Sequence, residues 1–322
     1  MAEGRELGRF GTLAVCLGLG MVSLSSVGHE STPGAKQVSP GFDPDRVTWQ
    51  RLDYTASKLF VTLRSTVELQ RGGPWDVEPW LSPPQGVAAS PIPAEIADHR
   101  LSLETSVLGR RSLEAVRFRG EDGRAVQRYK RRFGSRAYAK TQRYLEQGAF
   151  LTRVSPAEPS EVEEAQWSRR SNESFQLPQG SECSAVVDSI QIFYLLAASS
   201  IDKVGDAFSV CAFTKDTFAR LEISAVETVA RGPEHRIDGV EMPDGAASAR
   251  GGPLLWLSLN AEPLPGPTGA AESRFELIGL EGALRILFDP EARLPMEIRG
   301  KHEKMGPVSV RLSSVQQRTG AP

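Results

Sequence analysis

Polar and apolar side chains alternate in segment after segment of this chain, and few folds can use that pattern. In KLFVTLRSTVELQ, Leu59, Val61, Leu63, Val67 and Leu69 fall on one side, with Phe60, Thr62, Arg64, Thr66, Glu68 and Gln70 on the other. A period of two is that of a half-buried strand. It returns in HRLSLETSVL, in RSLEAVRFRGEDGRAVQRYKRRF, which breaks into two strands at Gly120 to Gly123, and in SRAYAKTQRYLEQ. Later come AFSVCAF, ARLEISAVETV, PLLWLSLN, RFELIGL, ALRILFD, LPMEIRGK and PVSVRLSSV. Strands that follow one another without intervening helices pair antiparallel, and alternation leaves one face wet. The expected fold is mainly β, a single large curved antiparallel sheet or open barrel around one core. A two-sheet sandwich is the alternative.

One stretch breaks the alternation. In SAVVDSIQIFYLLAAS, Val186, Ile190, Phe193, Tyr194 and Ala197 recur at helical spacing, and Ser184, Asp188 and Gln191 form the only polar stripe. A helix apolar over most of its circumference is normally buried. The spacing therefore predicts a helix near residues 184–199, capped by Ser184 or Asp188 and packed on the concave face of the sheet.

The chain divides into residues 1–28, read as an export signal, 29–46 as a linker, 47–315 as one β domain and 316–322 as a tail. The signal reading rests on Arg9, the apolar run Phe10 to Leu24, and Ser26 and Gly28 at the spacing of a peptidase site. The alternatives are an uncleaved N-terminal anchor and a lipid site at Cys16. If Cys16 leaves with the signal, Cys183 and Cys211 remain as an even pair in an oxidising compartment, either bridged or packed as buried thiols. A bridge would contribute about 3–4 kcal/mol by loop closure. Within the domain, residues 71–94 form a Pro-rich loop insertion carrying Trp75 and Trp80, which either pin the loop to the body or contact a partner. GVEMPDGAASARGGP and EPLPGPTGAAES read as further loops.

Catalytic signatures are scarce. His29, His99, His235 and His302 are isolated, HEKMG lacks the second histidine of a zinc protease, and Glu161, Glu163 and Glu164 read as a solvated connection. No cofactor and no metal site is expected. The net charge of −2 argues against a nucleic-acid partner for the whole chain, but one region stands apart. From Arg110 to Arg143 there are twelve Lys or Arg and three Asp or Glu, interleaved with Tyr129, Tyr138 and Tyr144. Arg128, Lys130 and Arg132 share one strand face, and Tyr129 and Arg131 share the other. Arg117, Arg128, Lys130, Arg132 and Tyr129 are the candidate ligand-binding residues for an anionic group. The competing reading is an outward, solubilising face paired with the acidic segment from Glu158 to Glu182.

These elements together resemble the bacterial exported proteins grouped as domain-of-unknown-function family 3108. The likeness is carried by Asp188 at a helix start, Tyr194 within the helix, Gly205 leading into paired strands, and ILFDPEARLPMEI followed by GPVSVRL as a closing hairpin, with Asp289, Arg293 and Pro295 at its turn. Gln191, where a small hydroxyl residue is usual, Ala197, where an Arg often ends the helix, and the insertion before Glu95 depart from it. The resemblance implies an exported protein with a curved sheet and implies no activity. The combined expectation is a periplasmic cell-envelope protein that binds or carries an amphiphilic or anionic ligand without catalysis. The alternatives are an interaction protein that engages another envelope protein through its Pro/Trp loop and, third, an enzyme.

Overall fold

The structure, a computed structural model, describes residues 41–58, 60–73, 80–83, 85–87, 90–214, 217–238, 240–242, 252–264 and 275–318. The segment read as an export signal, Cys16, His29, Trp75 and most of the two later loops lie outside the described residues.

The alternating segments form strands. In chain order they are β1 (Trp49–Lys58), β2 (Val61–Arg71), β3 (His99–Val107), β4 (Arg110–Phe118), β5 (Ala125–Arg132), β6 (Tyr138–Leu145), β7 (Gly148–Ser155) and β8 (Arg169–Gln176). Then come β9 (Val186–Asp188), the helix α1 (Ile192–Ala198), β10 (Ala207–Thr214), β11 (Thr217–Val229), β12 (His235–Ile237) and β13 (Val240–Met242). The chain ends with β14 (Leu254–Pro263), β15 (Leu280–Asp289), β16 (Leu294–His302) and β17 (Gly306–Gln317).

Most of these strands make one curved, unclosed sheet in the spatial order β8-β7-β6-β5-β4-β3-β2-β1-β17-β16-β15-β14-β11-β10-β9. Every pair in that order is antiparallel except β9 with β10. The β12–β13 hairpin adds to the end of β17 that extends past β16. Short turns set the register: Leu108 (φ 51°) and Gly109 (φ 71°) join β3 to β4, a two-residue turn of the kind that matches strand twist. At Gly120, between β4 and β5, a side chain would collide with the His99 ring and the Tyr194 hydroxyl.

Inside the curve sits the helix. All seven of its residues are at most 1% exposed, and they pack with Leu52, Tyr54, Leu63, Leu101 and Phe118 in one core cluster. Phe42 is buried against Phe208, and Asp43 donates its N–H to Ala198 O, so the packed body begins before residue 47. Two polar devices hold the helix. At its start Asp188 accepts from Ile190 N while Gln191 Oε1 accepts from Asp188 N, a reciprocal cap. Gln191 Nε2 reaches on to Gly123 O. At its end Arg293, in the β15–β16 turn, donates to the carbonyls of Leu196, Ala197, Ser199 and Ile201. An arginine from a distant turn thus satisfies the orphan carbonyls of the last turn.

Two expectations need correction. The helix does not begin at 184: Val186–Asp188 is strand β9, paired in parallel with Cys211–Phe213, because the backbone groups there bond to β10 and two adjacent valines suit an extended chain. The described part of RFELIGL before Leu280, the first residue of β15, is not a strand either. Residues 277–280 form a turn, with Ile278 (φ 48°) and Gly279 (φ 79°) in the left-handed region. Cys183 and Cys211 are joined by a disulfide, their Cα atoms 5.7 Å apart. No helix among the described residues is long and apolar enough to cross a membrane.

Candidate functional site

The hairpin β4–β5 and its neighbour β6 are in strict register: Val116 opposes Arg128, Glu114 opposes Lys130, and Ser112 opposes Arg132, while Arg128 opposes Gln142 and Lys130 opposes Lys140. Alternation therefore sorts this cationic region into two rows on opposite faces. Arg128, Lys130 and Arg132, with Lys140 and Gln142, line a cavity of about 480 Å³ within the curve of the sheet. The same cavity is lined by Leu63 of β2, Leu103 and Val107 of β3, Ile190 at the start of the helix, and Ile278, with Leu103 beside Glu114 and Val107 beside Arg110 across the β3–β4 pair. The lining thus combines cations with apolar side chains. Seven Lys or Arg and three Glu contribute to the lining, an excess of four positive charges. The volume falls within the range of about 300–1,000 Å³ usual for small-molecule sites.

Depth along the cationic wall changes its chemistry. At the inner end Glu114 receives both Arg128 and Lys130, the latter at 2.7 Å. Arg128 also pairs at 3.3 Å with Asp188, which is fully buried and accepts the Tyr144 hydroxyl at 2.7 Å. Burial by itself raises the Glu114 carboxyl, but Arg128 and Lys130 outweigh it and hold the group at about 2. Burial also lowers Arg128 and Lys130, and their carboxylate partners more than restore them. These ions are mutually neutralised. Two residues or more along the strands, at the mouth, Arg110 and Arg132 have no side-chain hydrogen bond or ion pair among the described residues. They, and Lys304 in the same lining, are cations available to an incoming anion.

Arg117 and Tyr129, placed with the others by sequence, have the opposite parity and lie on the outer face. Arg117 is 2% exposed and stacks on Trp80 at 4.4 Å, and Arg143 flanks the same ring at 4.9 Å. Arg143 donates to Val126 O and Ile92 O, and burial lowers it to about 10. Leu81 N donates to Gln127 Oε1, and Ile92 N to Tyr144 O. Trp80 therefore pins its loop to the body. Tyr129 donates to Glu164 at 2.6 Å, and Arg131 pairs with the same carboxylate while lying over Phe133 and Trp167. The acidic segment does meet the basic strands, but on the outer side, and Glu164 is engaged there.

Sequence reasoning missed Glu114, Gln142, Tyr144 and Asp188 as parts of the inner wall. A signal existed for the first: within RSLEAVRF, Glu114 shares its parity with Val116 and Phe118, and an acid among core-facing positions calls for a buried cation. The hairpin register carried a second, since any turn that pairs Glu114 with Lys130 puts Arg117 and Tyr129 outside. His99 packs against Phe118 and Tyr194 with Nδ1 on Asp98. His302, at the cavity, accepts the Lys304 and Met305 amides. Among the described residues no three His, Cys, Asp or Glu side chains converge as metal ligands. Compared with family models, with curated proteins and with solved structures, the chain shows no significant match in any of the three.

Proposed function

We propose that this protein binds an anionic amphiphile, without transforming it, in the cavity enclosed by its sheet. One observation carries the reading: a single cavity of about 480 Å³ is lined by both apolar and cationic side chains, and Arg132 stands in that lining without a partner among the described residues. The apolar lining residues of β2 and β3 and Ile278 suit a hydrocarbon chain, and Arg132 and Arg110 suit a phosphate or carboxylate. The inner ions serve the fold, because Glu114 and Asp188 already neutralise Arg128 and Lys130. In this reading the chain works in the cell envelope as an exported protein, supported by the apolar run Phe10 to Leu24 and by a disulfide of the kind that persists in oxidising compartments. With Trp80 held between two arginines of its own chain, the Pro-rich loop is a strap.

Calorimetric titration of the purified protein with lauroyl lysophosphatidate tests this. Saturable one-to-one binding is expected. Hydrogen bonds to charged groups are worth about 1.5–3 kcal/mol, so Arg132→Glu should weaken binding by at least about tenfold with thermal unfolding unchanged. Absence of binding, or indifference to Arg132→Glu, would overturn the proposal.

A further inference from the structure

Four hairpin tips share one end of the sheet. In the spatial order β16-β17-β1-β2-β3-β4-β5-β6 every neighbour runs antiparallel, so the turns β16–β17, β1–β2, β3–β4 and β5–β6 stand side by side as a rim. Counted from the last residue of one strand to the first of the next, these four turns carry Lys58, Arg110, Arg132, Arg136 and Lys304 against Glu303. The three turns at the opposite end, β4–β5, β6–β7 and β15–β16, carry three Arg and five Asp or Glu by the same count. One end is thus basic and the other slightly acidic. Arg110, Arg132, Arg136 and Lys304 have no side-chain hydrogen bond or ion pair among the described residues.

The same rim presents bare hydrocarbon. Phe60, at the β1–β2 tip, is fully exposed, and Leu108, at the β3–β4 tip, is 51% exposed. Leu63 opposes Val107, which sets the two tips next to each other. The three opposite turns expose no large hydrophobic side chain. Leu108 is also a poor choice for its own turn, because it takes the left-handed conformation (φ 51°) that asparagine or glycine adopts with less strain. Neither the core nor the turn calls for leucine there. Unpaired cations beside exposed apolar side chains fit an anionic bilayer, which offers phosphates at its surface and hydrocarbon just beneath. A second copy of the chain would instead set like charges against each other. We infer that this rim docks on the surface of an anionic bilayer, with Phe60 and Leu108 entering the headgroup layer and the four cations meeting its phosphates. Leu108, Arg110, Arg132 and Lys304 also line the cavity, so docking sets its mouth against lipid.

Flotation of the full chain with vesicles of phosphatidylglycerol and phosphatidylcholine in equal parts tests this. The wild type should bind them at least about tenfold more tightly than vesicles of phosphatidylcholine alone, since each basic residue near an anionic surface is worth about fivefold, and the margin should shrink as salt rises. Phe60→Ser combined with Leu108→Asn should weaken binding by about tenfold, with thermal unfolding unchanged because both side chains are exposed and asparagine suits the turn. Val162→Ser removes a side chain 78% exposed on the outer connection and should leave vesicle binding as it was. Equal binding to both kinds of vesicle, binding to neither, or indifference to the double substitution would overturn the proposal. So would a wild-type dimer in vesicle-free sedimentation that the double substitution splits, which would give the tips to a second copy of the chain. The rim and the cavity fail separately: loss of lysophosphatidate binding with vesicle binding intact removes the amphiphile reading alone, and the reverse removes the docking rim alone.

Discussion

Strands β4 to β6 carry cations on both faces, and the two faces have different fates. On the outer side Arg117, Arg131 and Arg143 are covered by loops that supply rings and carbonyls: Trp80, Phe133, Trp167 and Ile92 O. On the inner side Arg128 and Lys130 meet buried carboxylates, and Arg132 meets open space. Charge alone does not separate structural arginines from recognition arginines. What decides is whether the chain brings its own partner to the guanidinium. Outside, it always does. Inside, it does so at the depth of Glu114 and stops short of the mouth.

Removing a partner on each side measures that difference. Glu114→Ala leaves Lys130 without its carboxylate and Arg128 with Asp188 alone, and should cost about 3–5 kcal/mol in urea unfolding, the largest effect of the set. The same pair has a pH signature. The folded Glu114 carboxyl lies at about 2 against an ordinary 4.5, so the folded state takes up its proton later than the unfolded one. Its contribution is complete above pH 4.5 and is lost as the pH falls toward 2. In Glu114→Gln the fall in stability across that window should be shallower than in the wild type. On the outer side, Trp80→Ala removes stacking on Arg117 and Arg143, each contact worth about 0.5–1 kcal/mol, and should cost about 1–2 kcal/mol with lysophosphatidate binding intact. A binding loss as large as that of Arg132→Glu would erase the contrast between the faces. Arg132→Ala should sit at the bottom of the stability scale, within about 0.5 kcal/mol, because its side chain has no partner among the described residues.

Much of this was open to a reader of the sequence, and the failures have physical causes. Alternation announced β2 to β6 and most of the C-terminal strands because one face of each is buried. It could not announce β8: RRSNESFQ is exposed along nearly its whole length as the sheet edge, so no apolar stripe marks it. Val186 and Val187 were absorbed into the helix because a short apolar run in β9 fits either period. The inner and outer rows of β5 were separable by parity, but not which row faced the cavity. That depends on the direction in which the whole sheet curls. Arg293 stood out at a turn, yet its reach to the end of a helix some ninety residues earlier is a fact of packing.

The pairing of β1 with β17 also sets the order in which the molecule can be completed. Strands β2 to β8 can zip hairpin by hairpin as they leave the ribosome or a translocation pore, each contact local. β1 acquires its second neighbour only when the final strand arrives, across nearly the full length of the chain, and the last turn of the helix waits for Arg293 in the same way. Contacts of such long sequence separation make folding slow. A chain of this kind spends its synthesis with the helix uncapped and one flank of β1 bare, and it becomes a finished molecule in a single late step.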